Sequence, residues 1–251
     1  MSTDDYFASV AESYDRLQPI VAGPWYEAGL AMVRDMVPHE SKEAFSFVEL
    51  GCGTAVLTKM LLDRFPLARG RAIDGEPAML EIARKKLAAY GDRAAVEQAD
   101  ILLYRPPECD AVVSSFVFHH LPPEKLPETF RRISDALRPG GCFILLDQMT
   151  VGPAWSKRVG QQGWQLVWRH TAEAIAAGLA TQDEVDARFA LKRKMKEEGK
   201  DVEYRHSAEQ IMEGMQAAAF DEVGLVWRTF ASTILMGFVP REGGPVAPAR
   251  Q

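Results

Sequence analysis

Only three cysteines occur among 251 residues, and Cys52, Cys109 and Cys142 lie far apart. An odd, dispersed set excludes a disulfide scaffold and a CxxC zinc site, and it fits reduced thiols in a cytoplasm. Long apolar runs are missing too: none reaches the roughly 18–20 residues of a membrane span. The start, Met1-Ser-Thr-Asp-Asp-Tyr6, is acidic and lacks the basic then apolar stretch of a secretory signal. There is no basic excess, since 29 Lys and Arg stand against 35 Asp and Glu for a net charge of −6. A chain that tracks a phosphate backbone usually carries a net basic face, so nucleic acid is disfavoured as the main partner. What is present is ordinary: 47% apolar and 25% charged residues, enough for a core of normal size. The length allows one large domain or one domain with a cap. These features predict a soluble intracellular domain of enzyme size.

Along the chain, residues 1–40 read as helix, with Phe7, Val10, Ala11, Tyr14 and Leu17 at helical spacing and a second segment around Trp25–Val37 ended by Pro38. Strands follow at 45–50, 70–74, 94–98, 110–115 and 142–147, alternating with helices at 55–65, 77–90 and 123–137. Pro139-Gly140-Gly141 reads as the turn before the fifth strand. Alternation of this kind predicts an α/β fold, a doubly wound Rossmann-like sheet with right-handed crossovers. Residues 153–200 break it as a helical run rich in charge and tryptophan. A helix at 207–219 and two strands at 222–229 and 232–239 then complete seven strands, the last two antiparallel at the sheet edge because no crossover helix separates them. The expected division is an N-terminal helical lid over 1–40, the sheet domain over 41–150 and 205–240, a helical cap over 151–204, and a flexible tail over 241–251.

The most informative stretch is Val48-Glu-Leu-Gly-Cys-Gly-Thr-Ala55, a strand entering a glycine turn and then a helix. Glycine lets the backbone turn sharply and approach a ligand, and the helix presents unpaired N–H groups. In dinucleotide enzymes such a loop reads G-x-G-x-x-G; here Val56 stands at the third glycine. Asp74, about 20 residues on, can accept from both hydroxyls of a ribose, or simply cap the helix opened by Pro77. Asp100 can accept from an exocyclic amine with Ile101 packing on a ring, or cap its own loop. All three acidic positions fall at the carboxyl ends of successive strands, where open α/β sheets bind ligands.

Together with Leu137-Arg-Pro-Gly-Gly141 and His119-His120-Leu121, these residues make the chain resemble a class I S-adenosylmethionine-dependent methyltransferase over about residues 6–149. The resemblance implies S-adenosyl-L-methionine as cofactor. It places Glu49, Gly51 and Gly53 beneath the methionine part, Asp74 on the ribose, Met79, Asp100 and Ile101 around the adenine, Ser115 beside the sulfonium, and Tyr14 closing over the site. Two positions depart from the pattern: Ala55 replaces the family's third glycine, and Glu76 stands where serine is frequent. A sulfonium needs no phosphate clamp, so the lost glycine is tolerable, while carboxylates and aromatic faces become useful.

Ser114-Ser-Phe-Val-Phe118 lacks the Asn/Asp-Pro-Pro-aromatic signature of enzymes that methylate amino groups on bases or glutamine, so with the acidic balance it points to a small-molecule acceptor. His119, His120 and Asp147 are the candidate acid–base groups, against the plainer roles of capping a turn or packing in the core. Of the cap residues Trp155, Trp164, Trp168 and His170, the first two are expected as walls for an apolar acceptor, and a packed helical face is the alternative. The basic run Arg188–Lys200 reads as a solvated face, with one arginine holding a substrate carboxylate as the minor alternative. A cap that closes over its own site or exchanges with a second chain leaves a homodimer among the expected arrangements. Three other functions stay open: a carboxy-S-adenosylmethionine synthase, which shares the layout and needs basic residues near the methyl group; a nicotinamide dehydrogenase, disfavoured by Val56; and an inert module that senses the cofactor.

Overall fold

Four short parallel strands carry the first half of the sheet: β1 (Ser46–Leu50), β2 (Arg69–Asp74), β3 (Ala94–Gln98) and β4 (Cys109–Ser115). The computed structural model describes residues 3–150, 153–199, 202–204, 206–229 and 232–241, and of residues 3–9 and 153–157 only the backbone. Helices α1 (Thr3–Ala22) and α2 (Trp25–Met36) precede the sheet, and α3 (Val56–Arg64), α4 (Pro77–Leu87) and α5 (Leu126–Ala136) connect its strands. After β5 (Leu137–Gln148) come α6 (Pro153–Ala176), α7 (Gln182–Glu197) and α8 (Ala208–Ala217), then β6 (Glu222–Arg228) and β7 (Ser232–Phe238). The seven strands lie in the order β3-β2-β1-β4-β5-β7-β6. Strand β7 runs antiparallel to both β5 and β6, as two consecutive strands without a crossover helix must.

Side chains alternate between two cores. Ala111, Val113, Ile144 and Leu146 face one layer, with Leu30, Leu57 and Leu61 from the helices. Val112, Phe143 and Leu145 face the other, with Phe130, Ile133 and Met215. Strands buried on both faces carry almost no polar residues, which is why β4 and β5 read as continuous apolar runs.

One sequence expectation is corrected. Pro139-Gly140-Gly141 does not precede the fifth strand but lies inside it: β5 begins pairing at Leu137 opposite Cys109, and regular register resumes only at Cys142 opposite Ala111. The bulge fits because Gly140 takes φ +80°, and a Cβ on Gly141 would meet the carbonyl oxygens of Arg138 at 2.8 Å and Asp110 at 2.9 Å. The helix at 77–90 also stops early, at Leu87, and a 3-10 turn over 88–93 carries the chain on through Gly91 at φ +56°.

The helical run after β5 is two helices. Thr181 starts α7 with a reciprocal capping box to Glu184. Both helices pack on α1: Leu17 and Ile20 are buried with Ala174, Ala180 and Val185, and the Thr171 hydroxyl donates to the Ile20 carbonyl at 3.3 Å. A second anchor holds α1 to the sheet side. Asp15 accepts from the Thr54 hydroxyl in the glycine loop and pairs with Lys86 of α4 at 2.6 Å. Of the expected tail over 241–251, residues beyond Arg241 lie outside those described.

Candidate active site

The carboxyl ends of β1, β2 and β4 meet at the point where strand order reverses, between β1 and β4. A cavity of about 730 Å³ opens there, within the roughly 300–1,000 Å³ usual for small-molecule sites. Tyr14, Glu49, Gly51, Gly53, Asp74, Met79, Asp100, Ile101 and Ser115 all line it, so every cofactor-binding residue expected from the sequence comes to one place.

The loop after β1 is held by two carboxylates. Asp74 accepts from the Gly53 amide at 2.8 Å and from the Glu76 amide at 2.9 Å, which ties the ends of β1 and β2 together. Glu49 is buried and accepts from the amide of Thr58 at 2.9 Å and from its hydroxyl. Thr58 lies in the first turn of α3, whose N-cap Ala55 has no side-chain oxygen, so Glu49 supplies the cap from the preceding strand. Ala55, at the place of the family's third glycine, still takes the left-handed conformation that glycine favours, with φ 61°. Burial, reinforced by the nearby charge of Asp74, pushes the Glu49 carboxyl up to about 8 despite the Thr58 hydrogen bonds. A folded-state pKa raised this far makes its stabilising contribution complete below the ordinary carboxyl pKa and lost as pH rises through about 8. Glu49→Gln, which cannot ionise, is therefore expected to abolish that loss. Denaturant midpoints of the two proteins diverge between about pH 5 and 8, with the variant the less pH-sensitive. Parallel curves would show that burial does not hold this proton.

At the other rim Glu76 replaces the frequent serine. One of its oxygens caps α4 by accepting from the Ala78 amide at 3.1 Å. The other, Oε2, is buried without a hydrogen-bond partner in the protein, on a residue that lines the cavity. Asp100 turns one oxygen to the Leu102 amide at 2.8 Å, the loop-capping role, while its residue still lines the cavity. Met79 is packed against Val10, Ala11 and Met195 as well as facing the cavity. Together Asp74, the orphaned Glu76 oxygen, Asp100 and the apolar Met79 and Ile101 suit a nucleoside with ribose hydroxyls and a flat base. The acidic lining suits a cationic ligand and is the wrong sign for a pyrophosphate.

A second cavity of about 510 Å³ adjoins the first under α6 and α7. Tyr14, Phe116 and His120 line both. Phe116 was not singled out by sequence; it follows β4 at φ 59°, a conformation rare outside glycine, and stacks on Tyr26 with ring centroids 5.3 Å apart. Nothing local in Ser115-Phe116-Val117 announces this, because the conformation is imposed by the Phe116 amide bonding to the Leu146 carbonyl of β5 at 2.8 Å.

His119 faces the second cavity. Its Nδ1 lies 2.5 Å from Asp147 Oδ1, and its amide donates to Asp147 Oδ2 at 2.9 Å. Burial alone lowers the imidazole pKa, but the charge and hydrogen bond of Asp147, aided by Glu203, reverse this and leave it raised. His120 differs: its Nδ1 contacts the Val202 carbonyl at 3.1 Å, and its ring lies 4.0 Å from that of His119. Asp147 itself sits behind His119 and reaches neither cavity wall. Trp164 lines the second cavity beside Trp168, whereas the side chain of Trp155 lies outside those described. In the basic run Lys192, Arg193, Lys194 and Lys196 are exposed, as a solvated face requires, and Arg188 departs from it at 6% exposed; Arg188, Lys192, Arg193 and Lys196 border the second cavity.

Comparison with known proteins follows the same lines. Residues 47–141 match the family model described as a methyltransferase domain. A carboxy-S-adenosyl-L-methionine synthase of Campylobacter lari is 26% identical over 145 residues, 58% of this chain and 62% of that protein. An uncharacterized methyltransferase of Geobacillus kaustophilus is 31% identical over 153 residues, 57% of this chain and 65% of its own. The matches thus span under two thirds of these curated relatives. The S-adenosylmethionine-dependent methyltransferase SibL, in its apo form, superposes with a TM-score of 0.59 at 21% identity, covering 86% of this chain and 56% of SibL. Residues 47–141 therefore match a methyltransferase domain, and the chain has the fold of the S-adenosylmethionine-dependent methyltransferases.

Proposed function

We propose that this protein transfers a methyl group from S-adenosyl-L-methionine to a small-molecule acceptor held in the second cavity. The observation that carries the reading is the junction: the acidic nucleoside-sized cavity and the aromatic cavity share Tyr14, Phe116 and His120, so a donor in one meets an acceptor in the other. S-adenosylmethionine, when bound, supplies a methyl group on a positively charged sulfur, open to in-line displacement. The protein's own contribution is alignment, and for well-oriented pairs proximity accounts for about 7–11 kcal/mol of barrier. Asp74 and Glu76 hold the sugar, Asp100, Ile101 and Met79 the base, and Gly51 and Gly53 let the loop approach the amino-acid end, with Ser115 beside the sulfur.

His119 is the general base in this reading. Asp147 keeps the Nδ1 proton in place, which leaves Nε2 to take a proton from an acceptor hydroxyl. Trp164 walls the acceptor. The proposal includes a dissolved substrate, with neither nucleic acid nor a membrane as partner, and a cytoplasmic location, in keeping with Cys52, Cys109 and Cys142 all being buried free thiols. Among the described residues no helix is long and apolar enough to cross a membrane.

A second reading is favoured by one feature. The basic residues lining the second cavity are what a carboxy-S-adenosylmethionine synthase needs for a carboxylate donor, and such enzymes are among the relatives. The test is calorimetric titration with S-adenosylhomocysteine, then mass spectrometry of S-adenosylmethionine incubated with the protein and a metabolite panel. Methylated metabolite is the expected product. A cofactor heavier by one carboxyl group would select the second reading, and no affinity for S-adenosylhomocysteine would remove both.

A further inference from the structure

Helix α7 carries Arg188, Lys192 and Lys196 four residues apart, which puts three cations on one stripe of the helix. That stripe runs from a buried Arg188 to an exposed Lys192 and Lys196. All three residues line the second cavity, Arg193 joins them, and Glu203 is the single carboxylate lining it among the described residues. Lys192 pairs with Glu203 at 3.1 Å, and burial of Glu203 is outweighed by Lys192 and His119, so its carboxyl titrates below the usual range. Among the described residues, four cations and one carboxylate border a cavity whose other walls include Trp25, Phe116, Trp164 and Trp168.

The most buried of the four is best placed to read a shape. Arg188 is 6% exposed, its Nη2 donates to Gln18 Oε1 at 3.0 Å, and its guanidinium lies 5.5 Å from the centre of the Tyr14 ring. Tyr14 also lines the cofactor cavity, so this cation sits on the wall between the two. A guanidinium fixed by packing recognises a planar carboxylate, and flat aromatic walls select a flat apolar body.

We propose that the acceptor is an organic carboxylate with an aromatic or similarly flat apolar body, whose anionic group is received by Arg188 and Lys192. This rests on the methyltransferase reading and adds the substrate class to it. Arg188 is buried and Lys192 stands exposed at the cavity's edge, so a carboxylate gains a charge-assisted contact in the cavity that a neutral molecule of the same shape does not.

The test uses the full chain saturated with S-adenosylhomocysteine and follows tryptophan fluorescence, since Trp25, Trp164 and Trp168 line the cavity. The probes are indoleacetate against indoleacetamide and phenylpropionate against phenylpropionamide, with phenyl phosphate alongside. Each acid is expected to bind about tenfold or more tightly than its amide, and the preference to fall as salt rises. Lys192→Gln and Arg188→Gln are each expected to remove most of that preference. Lys192→Gln keeps its melting temperature, so the outcome stands even where the buried arginine variant folds poorly. Equal affinity for acids and amides, or tighter binding of phenyl phosphate than of either acid, would overturn the carboxylate assignment. The methyltransferase reading stands or falls separately, on S-adenosylhomocysteine affinity measured without any probe and on the mass of the product.

Discussion

Replacing Gly51 with alanine is expected to lower the unfolding free energy by about 3 kcal/mol, a large share of the roughly 5–15 kcal/mol that a domain has. Two independent causes add. Gly51 stands at φ +73°, where a Cβ crowds its own backbone at about 1 kcal/mol. Its Cβ would also lie 2.2 Å from Val117 Cγ2 and 2.9 Å from Cγ1, so the loop after β1 and the segment after β4 must part. That parting costs about 1–3 kcal/mol more, and it opens the junction on which the proposed cofactor site depends. Denaturant melts read the stability, and calorimetry with S-adenosylhomocysteine reads the site. Gly51→Ala with Val117→Ala is expected to regain the steric part but not the conformational part. Gly53→Ala is the control: its φ is +51° but nothing lies within 4 Å of a Cβ there, so only about 1 kcal/mol is lost. Equal losses at the two glycines would show that Val117 does not set the loop.

The second large effect concerns the histidine–aspartate couple. If His119 takes a proton from the acceptor, His119→Asn should reduce kcat by about 10²–10⁴ at neutral pH, with little change in S-adenosylhomocysteine affinity. His119 lines only the second cavity, which is why the donor should be spared. The sign of the pH dependence follows from its surroundings. Asp147, with support from Glu203 and against Lys192 and burial, raises the imidazole pKa, so the neutral form that acts as a base appears later on the alkaline side. The acidic limb of kcat/KM should thus have its midpoint above the ordinary histidine value of about 6.5. Asp147→Asn should move that midpoint down and also lower kcat, because Asp147 is what fixes the Nδ1 proton. A rate that is flat across this range, or unmoved by Asp147→Asn, would assign the couple to holding the loop after β4, a role its amide hydrogen bonds also serve.

Residue chemistry at strand ends was readable because it is local. A strand that stops at Gly51, another that stops at Asp74 and a third followed by Asp100 must share an edge once the strands are parallel. The Pro139-Gly140-Gly141 stretch misleads for the opposite reason. Its residues signal a turn, yet pairing of Leu137 with Cys109 captures them as a bulge, and that partner lies 28 residues away. Phe116 is silent in sequence since its left-handed conformation comes from a hydrogen bond to β5. The basic run on α7 is ambiguous for a related reason. Helical spacing shows that Arg188, Lys192 and Lys196 share a face, but which way that face turns depends on α1, against which α7 packs through Val185.

By itself the sequence determined the alternating α/β layout, the antiparallel closing pair and the nine residues that gather at the first cavity. Each of these follows from periodicity, from turn chemistry or from a family pattern carried on neighbouring positions. Only the tertiary structure decided that His119 turns to Asp147, that Glu49 caps α3 rather than facing outward, and that α7 presents its charge to a cavity. The Glu49 contact spans only nine residues but needs the turned loop after β1, while the other two join segments tens of residues or more apart, whose relative placement is fixed by packing against the sheet and by no single stretch of chain.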